Sequence, residues 1–140
     1  MNKDKNSLEN ESQPSCLGAF IGSAYSDAEL KNVIKNFVEG LLKKANCNHA
    51  GNCYAMCQIL KPYLSYFWEV ETLINNTKVK QGRKNVNHYY LLRIKDGMII
   101  DATASQFKKP NGKQMPKIFI GRIPEWYLAD GCYRKNNIWY

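Results

Sequence analysis

The sequence predicts a single α+β domain, and three stretches predict it. Leu30, Val33, Ile34, Phe37, Val38, Leu41 and Leu42 recur at helical spacing, and a second helix reads from Cys53. Two strand-like runs, His88 to Ile94 and Met98 to Asp101, then flank Lys95-Asp96-Gly97, a hairpin signal because Asp-Gly tolerates positive φ. A chain of 140 residues is long enough for one domain with a real core and too short for two ordinary ones.

Met1 to Ser15 is polar and lacks apolar periodicity, so residues 1–15 read as a disordered leader and 16–140 as the domain. Cys16 to Gly22 is a short apolar patch suited to packing on the domain as an irregular segment. Ser26-Asp27-Ala28-Glu29 is a capping box, and the stripe behind it predicts an amphipathic helix over 27–45, ending in Lys43-Lys44. Asn46 to Asn52 suits a loop, with Asn52 able to cap the next helix. That helix is expected from Cys53 to about Lys61, where Pro62 either stops it or starts a further turn. Tyr66 to Ile74 alternates apolar and acidic residues like a half-exposed strand, and Asn75 to Asn87 reads as a long basic loop. After the hairpin, Ala102 to Phe107 is a turn leaving the sheet, followed by a basic loop to Pro116. Lys117 to Gly121 is a short strand, Ile123 to Leu128 holds a helical turn, and Cys132 to Tyr140 is a last strand. No internal repeat is present.

Composition narrows the setting. The chain is 44% hydrophobic and 23% charged, as soluble globular proteins are. No apolar run approaches the roughly 18 residues of a membrane helix, and the start lacks the apolar core of a signal peptide, so a cytoplasmic protein is expected. Five cysteines, Cys16, Cys47, Cys53, Cys57 and Cys132, are an odd number, which argues for reduced thiols. The net charge of +8 is unevenly placed: residues 1–77 hold 7 Lys/Arg against 8 Asp/Glu, and residues 78–140 hold 13 against 4. Such a surplus suits nucleic acid, an anionic membrane or an acidic protein, and charge alone leaves the choice open.

The chemistry centres on Cys53. A thiol at a helix start meets the positive end of the helix dipole, which favours the thiolate that attacks carbonyl carbon. His88 opens the first hairpin strand and Asp101 closes the second. An even-length turn brings both to one face of the sheet, whereas an odd one separates them. With a four-residue turn, Ile94 to Gly97, Asp101 stands opposite Tyr90 and diagonal to His88, within carboxylate reach. In that reading Cys53 attacks an amide or ester carbonyl, His88 takes or shares the thiol proton, and Asp101 orients the imidazole. The oxyanion is held by the Cys53 amide and a second donor, for which Asn46, Asn48 and His49 are candidates. Two other readings use the same residues. Cys47, His49, Cys53 and Cys57 offer four ligands within eleven residues for a small zinc site, although their spacing matches no common zinc module. Alternatively Cys53 and Cys57 are buried structural thiols in a basic nucleic-acid or protein-binding module, with Tyr89, Tyr90, Trp126, Tyr127, Tyr133 and Trp139 as stacking candidates.

Gly51-x-Cys53 at a helix start, Asn87-His88-Tyr89-Tyr90 entering a strand, and Asp96-Gly97-x-Ile99-Ile100-Asp101-x-Thr103-x-x-Gln106-Phe107 resemble the papain-like and transglutaminase-like cysteine superfamily. The likeness spans about residues 50 to 107. It is nearest to small bacterial and phage members in which a histidine-aromatic strand precedes Ile-Asp-x-Thr-x-x-Gln-Phe, although many of those carry tryptophan or proline where this chain has Tyr90 and Ala102. The resemblance implies an antiparallel sheet packed on the cysteine helix and a catalytic Cys53, His88 and Asp101. Asn52, Asn48, His49 and Gln106 are then the candidates for oxyanion or substrate contacts. The expected activity is acyl transfer at an amide, isopeptide or thioester bond, without metal or other cofactor, on an acidic protein or peptide substrate. So small a chain also suits an effector or toxin role.

Overall fold

The computed structural model of the protein describes residues 25–45, 52–128, 134–135 and 138–139. The leader 1–15, the apolar patch 16–22 and the loop residues 46–51, with Cys47, Asn48 and His49 among them, lie outside the described residues, as do Cys132 and most of the expected last strand. Two helices, α1 (Asp27–Ala45) and α2 (Cys53–Trp68), precede four strands: β1 (Thr72–Gln81), β2 (Lys84–Arg93), β3 (Ile99–Asp101) and β4 (Phe119–Gly121). The strands form one antiparallel sheet in the order β1-β2-β3-β4. Two short strands, β5 (Arg134–Lys135) and β6 (Ile138–Trp139), pair near the C-terminus. The class is α+β.

Helix α1 has the bounds its pattern predicts. Its capping box is closed in both directions: the Ser26 amide donates to Glu29 Oε1 at 2.9 Å, and the Glu29 amide donates to Ser26 Oγ at 3.1 Å. Leu30, Ile34, Val38 and Leu42, one apolar stripe, are buried against α2 and the sheet. Arg93, almost wholly buried, ties the start of α1 to the sheet by donating to Asp27 at 2.8 Å and to Asp96 at 2.7 Å.

Helix α2 corrects the expected boundary. It runs through Pro62 to Trp68, so Tyr66 to Trp68 are helical and not the start of a strand. The reason is tertiary: Met56, Cys57, Leu60 and Leu64 form a stripe that continues past the proline into the core, which outweighs one lost amide donor and the strand propensity of three aromatics. Glu69 ends the helix at φ 56, ψ 38, and the Val70 amide donates to the Leu64 carbonyl at 3.0 Å.

The expected basic loop at 75–87 instead lies within a hairpin of two ten-residue strands, β1 and β2, joined at Gly82 (φ 62) and Arg83. Its alternation is hidden in the sequence because two of the inward residues are polar. Asn75, Thr77 and Val79 are buried, and the polar pair is satisfied: Asn75 exchanges hydrogen bonds with the Trp139 backbone (2.9 and 3.1 Å), and Thr77 Oγ1 meets Tyr90 Oη at 3.0 Å. Between β2 and β3 the turn is Ile94 to Gly97, four residues long, with Arg93 N–H donating to the Met98 carbonyl at 2.7 Å. Leu92 pairs with Ile99 and Leu91 with Ile100, so continuing the register sets Asp101 beside Tyr90, as the even turn requires.

One face of the sheet, through Leu91, Ile100 and Ile118, packs on α1 and α2. Its other face carries Tyr90, Leu92, Val79 and Ile99 under Ala104, Phe107, Met115 and Tyr127. The two cores hold the sheet from both sides.

Candidate active site

Three elements converge at one end of α2. Cys53 is its first residue, His88 lies on β2, and Asp101 is the last residue of β3. His88 and Asp101 are fully buried, while Cys53 is partly open to solvent. The short length of β3 makes the meeting possible. Odd-numbered amides of β2 point toward β3, as that of Arg93 does, and β3 stops at Asp101, so the Tyr89 amide is left without a strand partner on that edge. The Cys53 sulfur occupies that gap. It receives the backbone amides of Tyr89 and Tyr54, and it reaches His88 although α2 packs on the opposite face of the sheet.

The imidazole is held by its far nitrogen: His88 Nε2 lies 2.8 Å from Asp101 Oδ2. Nδ1 is buried without a hydrogen bond of strict geometry. The thiol nonetheless couples to the ring, and this loose contact is what a resting nucleophile and base present before substrate aligns them. The interaction with His88, ahead of the opposing effect of burial, holds the Cys53 thiol below its ordinary value. Burial alone depresses the basicity of His88, but the Asp101 carboxylate and the Cys53 sulfur outweigh it and push its pKa up to about 9. A thiolate beside an imidazolium is the state these shifts favour.

Asp101 is fixed from every side. Oδ2 also accepts from Tyr127 Oη at 2.5 Å, and Oδ1 accepts from the Thr103 amide at 3.0 Å and the Thr103 hydroxyl at 3.4 Å. Phe107 meets the His88 ring edge to face, centroids 4.6 Å apart at 83°. Thus the residues of the Ile-Asp-x-Thr-x-x-Gln-Phe run acquire separate physical tasks: Thr103 holds the carboxylate, Gln106 holds Thr103, and Phe107 walls the imidazole.

Gln106 is engaged within this turn. Its amide nitrogen donates to the Thr103 carbonyl and Thr103 Oγ1, both at 3.2 Å, so it braces Thr103. Asn52 does stand at the helix start, but its side chain makes no capping bond, since φ −110 and ψ 16 leave the extended conformation a side-chain cap needs. The structure places Asn52 next to Cys53 and gives no position for Asn48 or His49, which lie outside the described residues. Cys57, one turn below Cys53, is buried, and burial first, then the nearby Asp101 and Cys53 charges, push its thiol up so that it stays protonated. Among the described residues no three His, Cys, Asp or Glu side chains are grouped to hold a metal ion, and Cys47 and His49 of the alternative zinc set are outside them.

Tyr127 is the site residue that the sequence pattern misses. It comes 26 positions after Asp101, inside a 3-10 turn (Glu125–Tyr127) that the sequence shows only as a proline followed by aromatics. Among the described residues no helix is long and apolar enough to cross a membrane. Comparison of the chain with family models, curated proteins and solved structures finds no match.

Proposed function

We propose that this protein is a cysteine-dependent acyl-transfer enzyme of papain-like or transglutaminase-like architecture, acting on an amide, isopeptide or thioester bond. The single observation that carries the reading is the chain of contacts from the Cys53 thiol through His88 to Asp101, in which the thiol is made more acidic and the imidazole more basic.

The chemistry follows from these groups. The Cys53 thiolate attacks the substrate carbonyl carbon, and the electron pair moves to the carbonyl oxygen. Cys53 is the first residue of α2, so its own amide has no partner within the helix and faces the developing oxyanion. As the tetrahedral adduct collapses, His88 Nδ1–H protonates the departing amine or thiol, leaving an acyl group on sulfur. Water or an amine then attacks that acyl group, its proton passes to Nδ1, and the thiolate leaves. Throughout, Asp101 stays ionised and keeps the ring oriented. Hydrolysis, deamidation and transamidation share this intermediate and differ in what enters. A cytoplasmic protein, or an effector delivered to another cell, fits the same reading.

The test is to trap the intermediate. An acetyl thioester should add one acetyl group to Cys53 by intact mass, and a primary amine should discharge it faster than water if transfer is the native outcome. An adduct that forms equally in Cys53→Ser, or at an unchanged rate in His88→Ala, overturns the proposal.

A further inference from the structure

The β1–β2 hairpin continues past the level of the N-terminus of α2, and there no described element covers its helix-side face. Asn75, Thr77 and Val79 point into the second core, so Asn76, Lys78 and Lys80 point the other way, and all three are exposed. The register pairs Asn76 with Tyr89, Lys78 with Asn87 and Lys80 with Asn85. Tyr89 is the anchor of this face: its ring meets that of Tyr54 at 4.7 Å, and its amide reaches the Cys53 sulfur. From the level of Cys53, Lys78 therefore lies two residues along the strand and Lys80 four, roughly 7 and 13 Å away.

Among the described residues the charge of this face is uncompensated. No acidic residue occurs between Glu71 and Asp96. Arg93 pairs with Asp27 and Asp96 and Lys117 with Glu39, and Lys78 and Lys80, like most of the exposed lysines, have no ion-pair partner among the described residues. The Asn76 amide is spent on Asn87 Oδ1 (2.9 Å) and the His88 carbonyl (2.8 Å), which leaves the Asn87 amide nitrogen as a further donor beside Lys78.

We propose that this face binds an extended acidic segment of the substrate, with carboxylates at alternate positions two and four residues from the carbonyl presented to Cys53. The inference rests on the acyl-transfer reading for the identity of the neighbouring site. An extended peptide places side chains on one side every second residue, the same spacing as Lys78 and Lys80 on their strand. A nucleic acid fits less well, because the nearest rings, Tyr54 and Tyr89, are already engaged with each other.

The experiment measures fluorescent ten-residue peptides on the full-length Cys53→Ser protein: one with glutamate at alternate positions, one with alanine there, one with lysine, and a single-stranded DNA 12-mer for comparison. At low salt the glutamate peptide should bind about 10-fold tighter than the alanine peptide, as two partly screened ion pairs allow, and Lys78→Glu/Lys80→Glu should remove that margin. In the wild-type protein the same peptide at saturation should slow iodoacetamide labelling of Cys53 at least fivefold. Equal affinity for all three peptides, a margin unchanged in the double variant, binding without protection of Cys53, or tighter binding of the DNA through the same lysines overturns the inference. Acetylation of Cys53 by the thioester is read separately, so loss of the acyl-transfer proposal and loss of this one are told apart.

Discussion

Replacing Asp101 with asparagine is the sharpest probe of the site. The carboxylate, with help from Cys53, lifts His88 from an ordinary 6.5 to about 9 against the opposing effect of burial. That difference corresponds to a preference for the imidazolium of about 3 kcal/mol, at 1.36 kcal/mol per tenfold change. Asparagine keeps an oxygen for the Thr103 amide, but it offers an N–H or a neutral oxygen to His88 Nε2. Burial then prevails, and where the amide donates to Nε2 the ring carries its proton on Nδ1 and cannot take one from the thiol. The expected result is an alkylation rate at Cys53 about 100-fold lower between pH 6 and 7, measured with iodoacetamide and peptide mass spectrometry across pH 5 to 10. In the wild type the profile should rise below the ordinary thiol range and inflect again near 9, where the imidazolium loses its proton. Circular dichroism checks that the variant is folded. A folded Asp101→Asn protein with the wild-type profile would refute the view that the carboxylate sets the acidity of the thiol.

The remaining expectations concern support and stability. Tyr127→Phe removes one of the donors to Asp101 and should cost about 1 to 2 kcal/mol by urea unfolding, with a smaller fall in Cys53 alkylation than Asp101→Asn gives. Because the folded pKa of His88 exceeds its unfolded value, its stabilising contribution is full below about 6.5 and is lost as pH rises through about 9; urea midpoints should fall across that window, and the fall should vanish in His88→Gln. Cys57→Ala should leave the site of first alkylation at Cys53 while lowering stability by about 1 kcal/mol through a small cavity, as peptide mapping and urea melts would report. Glu69→Gly relieves a left-handed residue at the end of α2 and should raise stability by up to about 1 kcal/mol in the same assay.

Much of the site was legible before the structure because its signals are local. The capping box, the helix-start cysteine and the Asp-Gly turn each act within a few residues, but the turn left its own length open, and it is the four-residue form in the structure that brings His88 and Asp101 to one face. What stayed hidden depends on distant partners. Asn75 and Thr77 read as loop residues because only Trp139 and Tyr90 make their burial tolerable. Helix α2 read as shorter because the core that overrules Pro62 comes from α1 and the sheet. The bracing of Thr103 by Gln106 likewise shows only once the turn is folded. Tyr127 carries no local mark at all.

The hold of Tyr127 on Asp101 has a consequence for the order in which the site comes into being. As the chain is synthesised, Cys53, His88 and Asp101 all emerge before residue 127. The hairpin that joins His88 to Asp101 spans few residues and can form early, since closing short loops is fast. Yet Oδ2 of the carboxylate has His88 alone for a partner, and the second core stays open, until the 3-10 turn at Glu125–Tyr127 arrives to close over it. A chain that stops before residue 127 would thus hold all three reacting residues with the carboxylate less firmly held, so the fully braced site forms only once that turn has been made.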